Sequence, residues 1–417
     1  MEVRPGYKQT EVGVIPEEWE AELCGRLCAK IQDGTHFSPK IRGNDYLYLT
    51  SKNVRFGYLD VSTADRIDAA QHEAIYKRCD VKYGDLLLTK DGANTGNAAL
   101  NTLTEQFSLL SSVALLRFDP NQYSAAYFLQ QCLSADGQQR MKDAMSGNAI
   151  TRLTLEKIRK LRFPVAPLPE QRAIATALSD VDGLLGGLDQ LITKKRDLKQ
   201  AAMQQLLTGQ TRLPGFRGEW EVKALGEVAD VKTGPFGSSL HESDYVRDGT
   251  PIITVEHLGE FGVEHFNLPL VSDTDRQRLR AYSLEIGDIV FSRVGSVDRN
   301  ALIRPSEAGW LFSGRLLRVR PDKKKAFAQF LSYQFHGEAF KGLVRNVAVG
   351  QTMACLNTQI LKGILVALPS VPEQTAIAQV LMEMDAELAA LERRRDKTCD
   401  LKQAMMQELL TGKTRLA

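Results

Sequence analysis

Two long stretches of the chain carry apolar residues at alternating steps of four and three. The first begins at Pro169-Glu170-Gln171 and places Ile174, Leu178, Val181, Leu185, Leu188 and Ile192 on one stripe. That spacing is a heptad seam on an α-helix. The run "TKKRD" at 193–197 breaks it, and Leu198, Ala202 and Leu206 are expected to resume it on a nearby face before Gly209 stops the helix. The second stretch starts at Pro372 and repeats the plan with Ile377, Leu381, Met384, Leu388, Leu391, Leu401, Met405 and Leu409, ending at Gly412. About 40 helical residues run to roughly 60 Å at 1.5 Å per residue, and a helix of that length with one apolar seam needs a partner in water. The nearest candidate is the other copy, and the large block between them favours an antiparallel pair with a pseudo-two-fold axis. Each helix lying over its own core is the alternative.

The two stretches are also copies in residue identity. "PEQRAIATAL" from Pro169 returns as "PEQTAIAQVL" from Pro372, a shift of 203 residues, and "LKQAAMQQLLTGQTRL" from Leu198 returns without a gap as "LKQAMMQELLTGKTRL" from Leu401. Roughly 25 of about 45 aligned positions match, more than shared helix composition gives. The blocks before the helices are related less closely. "GDLLLTKDGANTGNAAL" from Gly84 aligns with "GDIVFSRVGSVDRNAL" from Gly287, and "SGNAITRLTLEKI" from Ser146 with "VGQTMACLNTQI" from Val349. Short β-type runs between Gly and Asn turns, each block then carrying a helix ("AYFLQQCLS", "AQFLSYQFH"), predict two α+β globules. The expected division is a globule over 1–168, a helix over 169–209, a second globule over 210–371 and a second helix over 372–412.

Composition changes this picture little. At 417 residues, 43% hydrophobic and 25% charged, the chain is ordinary for a globular protein of several domains. A net charge of +2 neither demands nor forbids nucleic acid. With no apolar run near ~20 residues and no hydrophobic leader in "MEVRPGYKQTEVG", a cytoplasmic location is expected. Cys24 and Cys28 form a C-x3-C pair, but their repeat positions hold Leu225 and Ala229, which excludes a duplicated zinc site. The six cysteines are expected to be isolated thiols.

The sequence carries no recognisable catalytic motif. "TGKT" at Thr411 lacks the upstream glycine of a phosphate-binding loop, and its copy at Thr208 reads "TGQT", so both are read as helix ends. There is no dinucleotide fingerprint, no Asn-Pro-Pro-aromatic tetrapeptide, no nucleophile elbow and no H-E-x-x-H. The six histidines are scattered, and none has a counterpart in the repeat.

The doubled "P-x-E-Q-x-x-I-A" helix starts, the "LKQ-x-x-x-Q-x-LLTG-x-TRL" helix ends, the "GD-x-x-x" strands and the openings "IPEEWE" and "GFRGEWE" together resemble the specificity (S) subunit of Type I restriction–modification enzymes, over essentially the whole chain. The resemblance implies an α+β fold of two target-recognition domains separated by two long helices in an antiparallel coiled coil. It implies a non-catalytic subunit whose domains each read half of a bipartite double-stranded DNA target, with the helices setting the spacing. It further implies two modification (methyltransferase) subunits using S-adenosylmethionine, and restriction–translocase subunits using ATP and magnesium, with no cofactor or metal in this chain.

On that reading, the residues expected at DNA sit on Gly-punctuated loops. In the first block these are Thr35, His36, Ser38, Lys40 and Arg42 of "DGTHFSPKIRG", with Lys90, Asn94 and Asn97 of "TKDGANTGN". In the second they are Ser238, Ser239 and His241 of "TGPFGSSLHESD", with Arg293, Ser296 and Arg299 of "SRVGSVDR". Such side chains suit phosphates and base edges. An exposed turn without a ligand is the alternative for any one of them. An enzyme acting alone on DNA, or an assembly adaptor without sequence preference, are the competing functions.

Overall fold

Val113–Phe118, "VALLRF", is a nearly continuous apolar run, as expected of a strand covered on both faces. In the computed structural model it pairs antiparallel with Cys28–Asp33 on one side and Leu86–Thr89 on the other. Ala98–Leu100 completes a four-stranded sheet. The described residues are 4–39, 43–145, 152–235, 240–259, 262–348 and 354–416. They form two units, one of residues 1–189 with 393–417 and the other of 190–392.

In the first unit a second, three-stranded sheet runs Asp65–Ile67, Tyr46–Leu49, Phe107–Leu109, the last pair parallel. The helix Ala125–Leu133 presses Tyr127, Phe128, Cys132 and Leu133 into the core, with Phe128 stacked on Phe118 at 4.5 Å between ring centroids. The second unit repeats the plan. Leu316–Pro321 lies between Ala229–Thr233 and Ile289–Ser292, Asn300–Leu302 follows, and Ala328–His336 is the packed helix. The shift holds at the level of single positions: Val113 falls on Leu316 and Ala125 on Ala328, again 203 residues on. The scaffold is thus duplicated even where residue identity has gone.

The repeated "GD" now has a structural cause. Asp85 accepts from the Lys82 amide at 2.7 Å and is gripped by Arg117 Nε and Nη2 at 2.8 and 2.7 Å. Asp288 accepts from the Glu285 amide at 2.8 Å and from Arg320 Nε and Nη2, both at 2.7 Å. In both copies a buried carboxylate pins the turn before the strand to the neighbouring strand through a two-pronged guanidinium.

The long helices span Leu168–Leu206 and Val371–Leu409. In the first unit Asp182 pairs with Lys402 at 2.6 Å and Asp189 with Arg395 at 3.8 Å. In the second, Lys195 pairs with Glu387 at 2.6 Å and Lys199 with Asp385. Numbers rise along one helix as they fall along the other, so the pairing is antiparallel within each unit. Asp182–Lys402 and Asp385–Lys199 are the same pair related by the repeat. Each aspartate also holds its globule's helix: Gln130 donates to Asp182 at 3.0 Å, and Tyr333 to Asp385 at 2.6 Å.

Of the predicted seam, Ile174, Leu178, Leu188, Ile192, Ile377, Leu381 and Leu388 are buried, while Val181, Leu185, Met384 and Leu391 are half-buried. In the resumption after "TKKRD", Leu206 and Leu409 are buried and Ala202 and Met405 half-buried, but Leu198 and Leu401 need correcting. Leu198 is 48% exposed and its copy Leu401 56% exposed, and the side chain turned inward is Lys199. One residue is a rotation of about 100° on a helix, and Asp385 makes the lysine acceptable inside. Leu198→Ala should therefore shift stability by no more than about 0.5 kcal/mol, whereas Ile192→Ala should cost about 2–5 kcal/mol. Urea denaturation of the two variants measures the difference.

A second duplicated device closes the helix ends. Glu170, buried at the start of the first long helix, accepts from Arg415 Nε and Nη2 at 2.6 and 2.7 Å and from the Trp19 indole at 3.0 Å. Glu373 receives Arg212 in the same two-pronged way, at 2.5 and 2.6 Å. The doubled "P-E-Q" and "TRL" signatures are the two halves of this clasp. Among the described residues all six cysteines are free thiols, and no group of His, Cys, Asp and Glu could hold a metal ion. No described helix is long and apolar enough to cross a membrane.

Candidate nucleic-acid interface

In each unit one set of loops converges beside the ends of the four-stranded sheet. In the first, the strand Cys28–Asp33 runs into Gly34 and Thr35, whose amide donates to Leu109 O at 2.8 Å and whose carbonyl accepts from Ser111 at 2.8 Å. Gly34 is required by this approach, since a Cβ there would lie 1.9 Å from the Leu109 carbonyl oxygen. The loop after Leu86–Thr89 meets the same place, the Lys90 amide donating to Ser112 O at 2.8 Å. A third segment joins through side chains. Asn94 Nδ2 donates to Ser51 O at 3.4 Å, Asn97 Nδ2 to Val54 O at 3.3 Å, and the Ser51 amide to Ser112 Oγ at 3.2 Å.

The second unit builds the same junction. Gly234 sits against Ser313, where a Cβ would lie 2.1 Å from the carbonyl oxygen. The Arg293 amide donates to Arg315 O at 2.9 Å, the Ser313 amide to Ile253 O at 2.9 Å, and Arg299 Nη2 to Leu258 O. The 203-residue repeat therefore carries over to the loop cluster, with different side chains on it.

The predicted residues that are described fall in three groups by exposure, with Lys90 joining Thr35 among the buried ones. His36, Ser38, His241, Ser296 and Arg299 are exposed on these loops, and His36 Nε2 lies 3.2 Å from Asp33. Asn94, Asn97 and Arg293 are half-buried, the two asparagines holding the loops to one another and Arg293 Nη1 reaching Gly314 O at 3.4 Å. Thr35 is buried in the backbone junction. Lys40, Arg42, Ser238 and Ser239 lie outside the described residues.

Lys90 requires a correction as a surface cation. It is 2% exposed, with Nζ 2.9 Å from Asp91 and 3.4 Å from Asp33. Asp91 also takes Arg152 at 3.0 Å. An ammonium enclosed by two carboxylates is neutralised inside the protein and positions the loop from beneath. In the second unit Arg293 stands at this position and Val294 at that of Asp91, while Arg299 and Arg315 are exposed nearby.

Sequence reading missed the segment 50–60. Its signal was the "NVRFGYLD" run, with a glycine between two aromatics, read only as part of a strand-bearing block. Val54 bridges Leu59 and the Arg55 amide donates to Tyr58 O at 2.9 Å, which makes a hairpin with Phe56-Gly57 at its tip. In the second unit Leu258 bridges Val263 in the corresponding place.

Comparison with known proteins agrees with this duplicated arrangement. The family described as the Type I restriction modification DNA specificity domain matches twice, over residues 38–194 and 217–398. The chain is 23% identical over 418 residues to the Type I restriction enzyme MjaVIII specificity subunit of Methanocaldococcus jannaschii, covering 96% of this chain and 94% of that one. It is 20% identical to the EcoBI specificity subunit of Escherichia coli over 60% of this chain and 56% of that one. Its fold is similar to the crystal structure of a Type-I restriction-modification system S subunit from M. genitalium, with a TM-score of 0.61 at 15% identity and 98% coverage of each chain.

Proposed function

Because the chain belongs to the family of Type I restriction–modification DNA specificity proteins, we propose that each unit's loop cluster reads one half of a bipartite duplex target, and that the helix pair sets the number of unread base pairs between the halves. Its part in the enzyme is recognition and not catalysis. The observation that carries the bipartite reading is the duplicated scaffold with unlike loops. Two equivalent sheets end in equivalent junctions, yet one cluster buries its lysine between carboxylates and the other displays arginines. Equivalent platforms with different side chains suit two different half-sites on opposite strands. The nearly identical helix ends, by contrast, suit two copies of one partner, and we assign these to the modification subunits. S-adenosylmethionine, ATP and magnesium then belong to the partner subunits.

Selection from a randomised duplex pool by the complex with its modification subunits tests this reading. The expected result is one motif of two specified blocks separated by a fixed unspecified gap, with Arg299→Ala relaxing the second unit's block alone. A pool with no enriched motif would leave the assembly-adaptor function in its place. A single unbroken motif would remove the two-reader arrangement.

A further inference from the structure

Exposed aromatic side chains are unusual on tight turns, where glycine and short polar residues prevail. The hairpin of the first unit is such a case: Phe56 is 50% and Tyr58 61% exposed, on either side of Gly57. The turn is held stiffly. Gly57 adopts φ +96° and donates its amide to Ala98 O at 2.9 Å. Beneath it, buried Asn53 donates to Asp60 O at 3.0 Å and accepts from the Thr50 amide at 2.9 Å. Asn97, from the neighbouring loop, fixes Val54. The rings are thus presented to solvent by a scaffold with little freedom, next to the cluster assigned to DNA. Cations flank them: Lys52 is exposed, and Arg55 is partly exposed, 3.5 Å from Asp60.

An apolar tip rimmed by basic side chains and anchored to a reading loop is the chemistry of a wedge that enters the minor groove and opens a base step. We propose that Phe56 and Tyr58 form such a wedge, inserting at a base step within or beside the half-site read by the first unit. In the second unit the Gly259 amide donates to Gly262 O at 2.9 Å, and the two residues between these glycines lie outside the described residues. This assignment rests on the DNA-reading role proposed above.

The experiment uses the assembled complex and a duplex carrying its selected motif, with 2-aminopurine placed in turn at each step of the first half-site. Wild type should raise the fluorescence at one step on binding. Phe56→Ser with Tyr58→Ser should abolish that rise and weaken binding at least about tenfold, while Phe56→Leu with Tyr58→Leu, which keeps the tip apolar, should retain most of both. Each single serine variant gives the same readout should the double variant fold poorly. A serine variant that binds and unstacks DNA like wild type overturns the wedge. Lost association with the modification subunits, with unchanged DNA unstacking by whatever complex still forms, also overturns it and makes the hairpin a protein contact. A wild-type complex that selects no split motif refutes the underlying reading instead.

Discussion

Lys90→Ala is expected to lower the stability of the first unit by about 3–5 kcal/mol, the cost typical of removing one partner of a buried ion pair. Asp33 is buried, and it and Asp91 would be left facing each other across the space that held the ammonium. Arg152 can follow Asp91 to the surface, but among the described residues Asp33 would keep His36 alone as an ion-pair partner. Urea unfolding, with hydrogen exchange followed on peptides spanning Leu86–Thr89 and Val113–Phe118, measures the loss. A phosphate-contacting lysine would behave otherwise. Its removal would leave stability within about 0.5 kcal/mol and reduce the salt slope of DNA binding by about 1, and that outcome would return Lys90 to the surface.

The second large effect is expected at Arg320. Arg320→Ala strands Asp288, 1% exposed, with the Glu285 backbone amide as the donor left to its carboxylate among the described residues. A loss of about 3 kcal/mol follows, at the low end for a buried pair because the guanidinium itself is partly exposed. Arg320→Lys should recover only part, since an ammonium cannot replace the paired Nε and Nη2 contacts. Arg117→Ala should reproduce the loss in the first unit through Asp85. Thermal or urea unfolding that left Arg320→Ala within about 0.5 kcal/mol of wild type would show that Asp288 does not depend on this pair.

These residues also mark how far the sequence could be read. The long helices were legible because their signals are local: a proline-acid start, period-3.5 leucines and a glycine stop. Both span 39 residues in the structure, against the expected 41 from Pro169 to Gly209 and from Pro372 to Gly412. The internal repeat told of a duplicated scaffold, and "GD" stood out as an anchor within it. What Asp85 and Asp288 grip was hidden, because Arg117 and Arg320 lie 32 residues further along the chain on the adjacent strand. Lys90 and Lys199 were illegible for the same reason. A lysine reads as a surface residue unless its carboxylates are known, and Asp33 and Asp385 are remote in sequence. Leu198 is expected inward because leucine is apolar, although Lys199 fits beside Asp385 and Tyr333. The loop clusters are visible as glycine-rich turns, yet the 50–60 hairpin is not, because its place beside Asn94 and Asn97 is a tertiary fact.

The clasp on Glu170 bears on the order in which the chain can mature as it leaves the ribosome. The second unit is one unbroken run, 190–392, and has both Glu373 and its Arg212 in hand once that run has emerged. The first begins earlier but is finished later, since Arg415, Leu409 and Leu410 are supplied 245, 239 and 240 positions after Glu170. Domains usually mature from the N-terminus onward; here the first-made globule must wait, with Ile174 and Leu178 uncovered and Glu170 unanswered, until the last-made helix arrives. Premature termination beyond the second unit would yield one completed reader and one that cannot close.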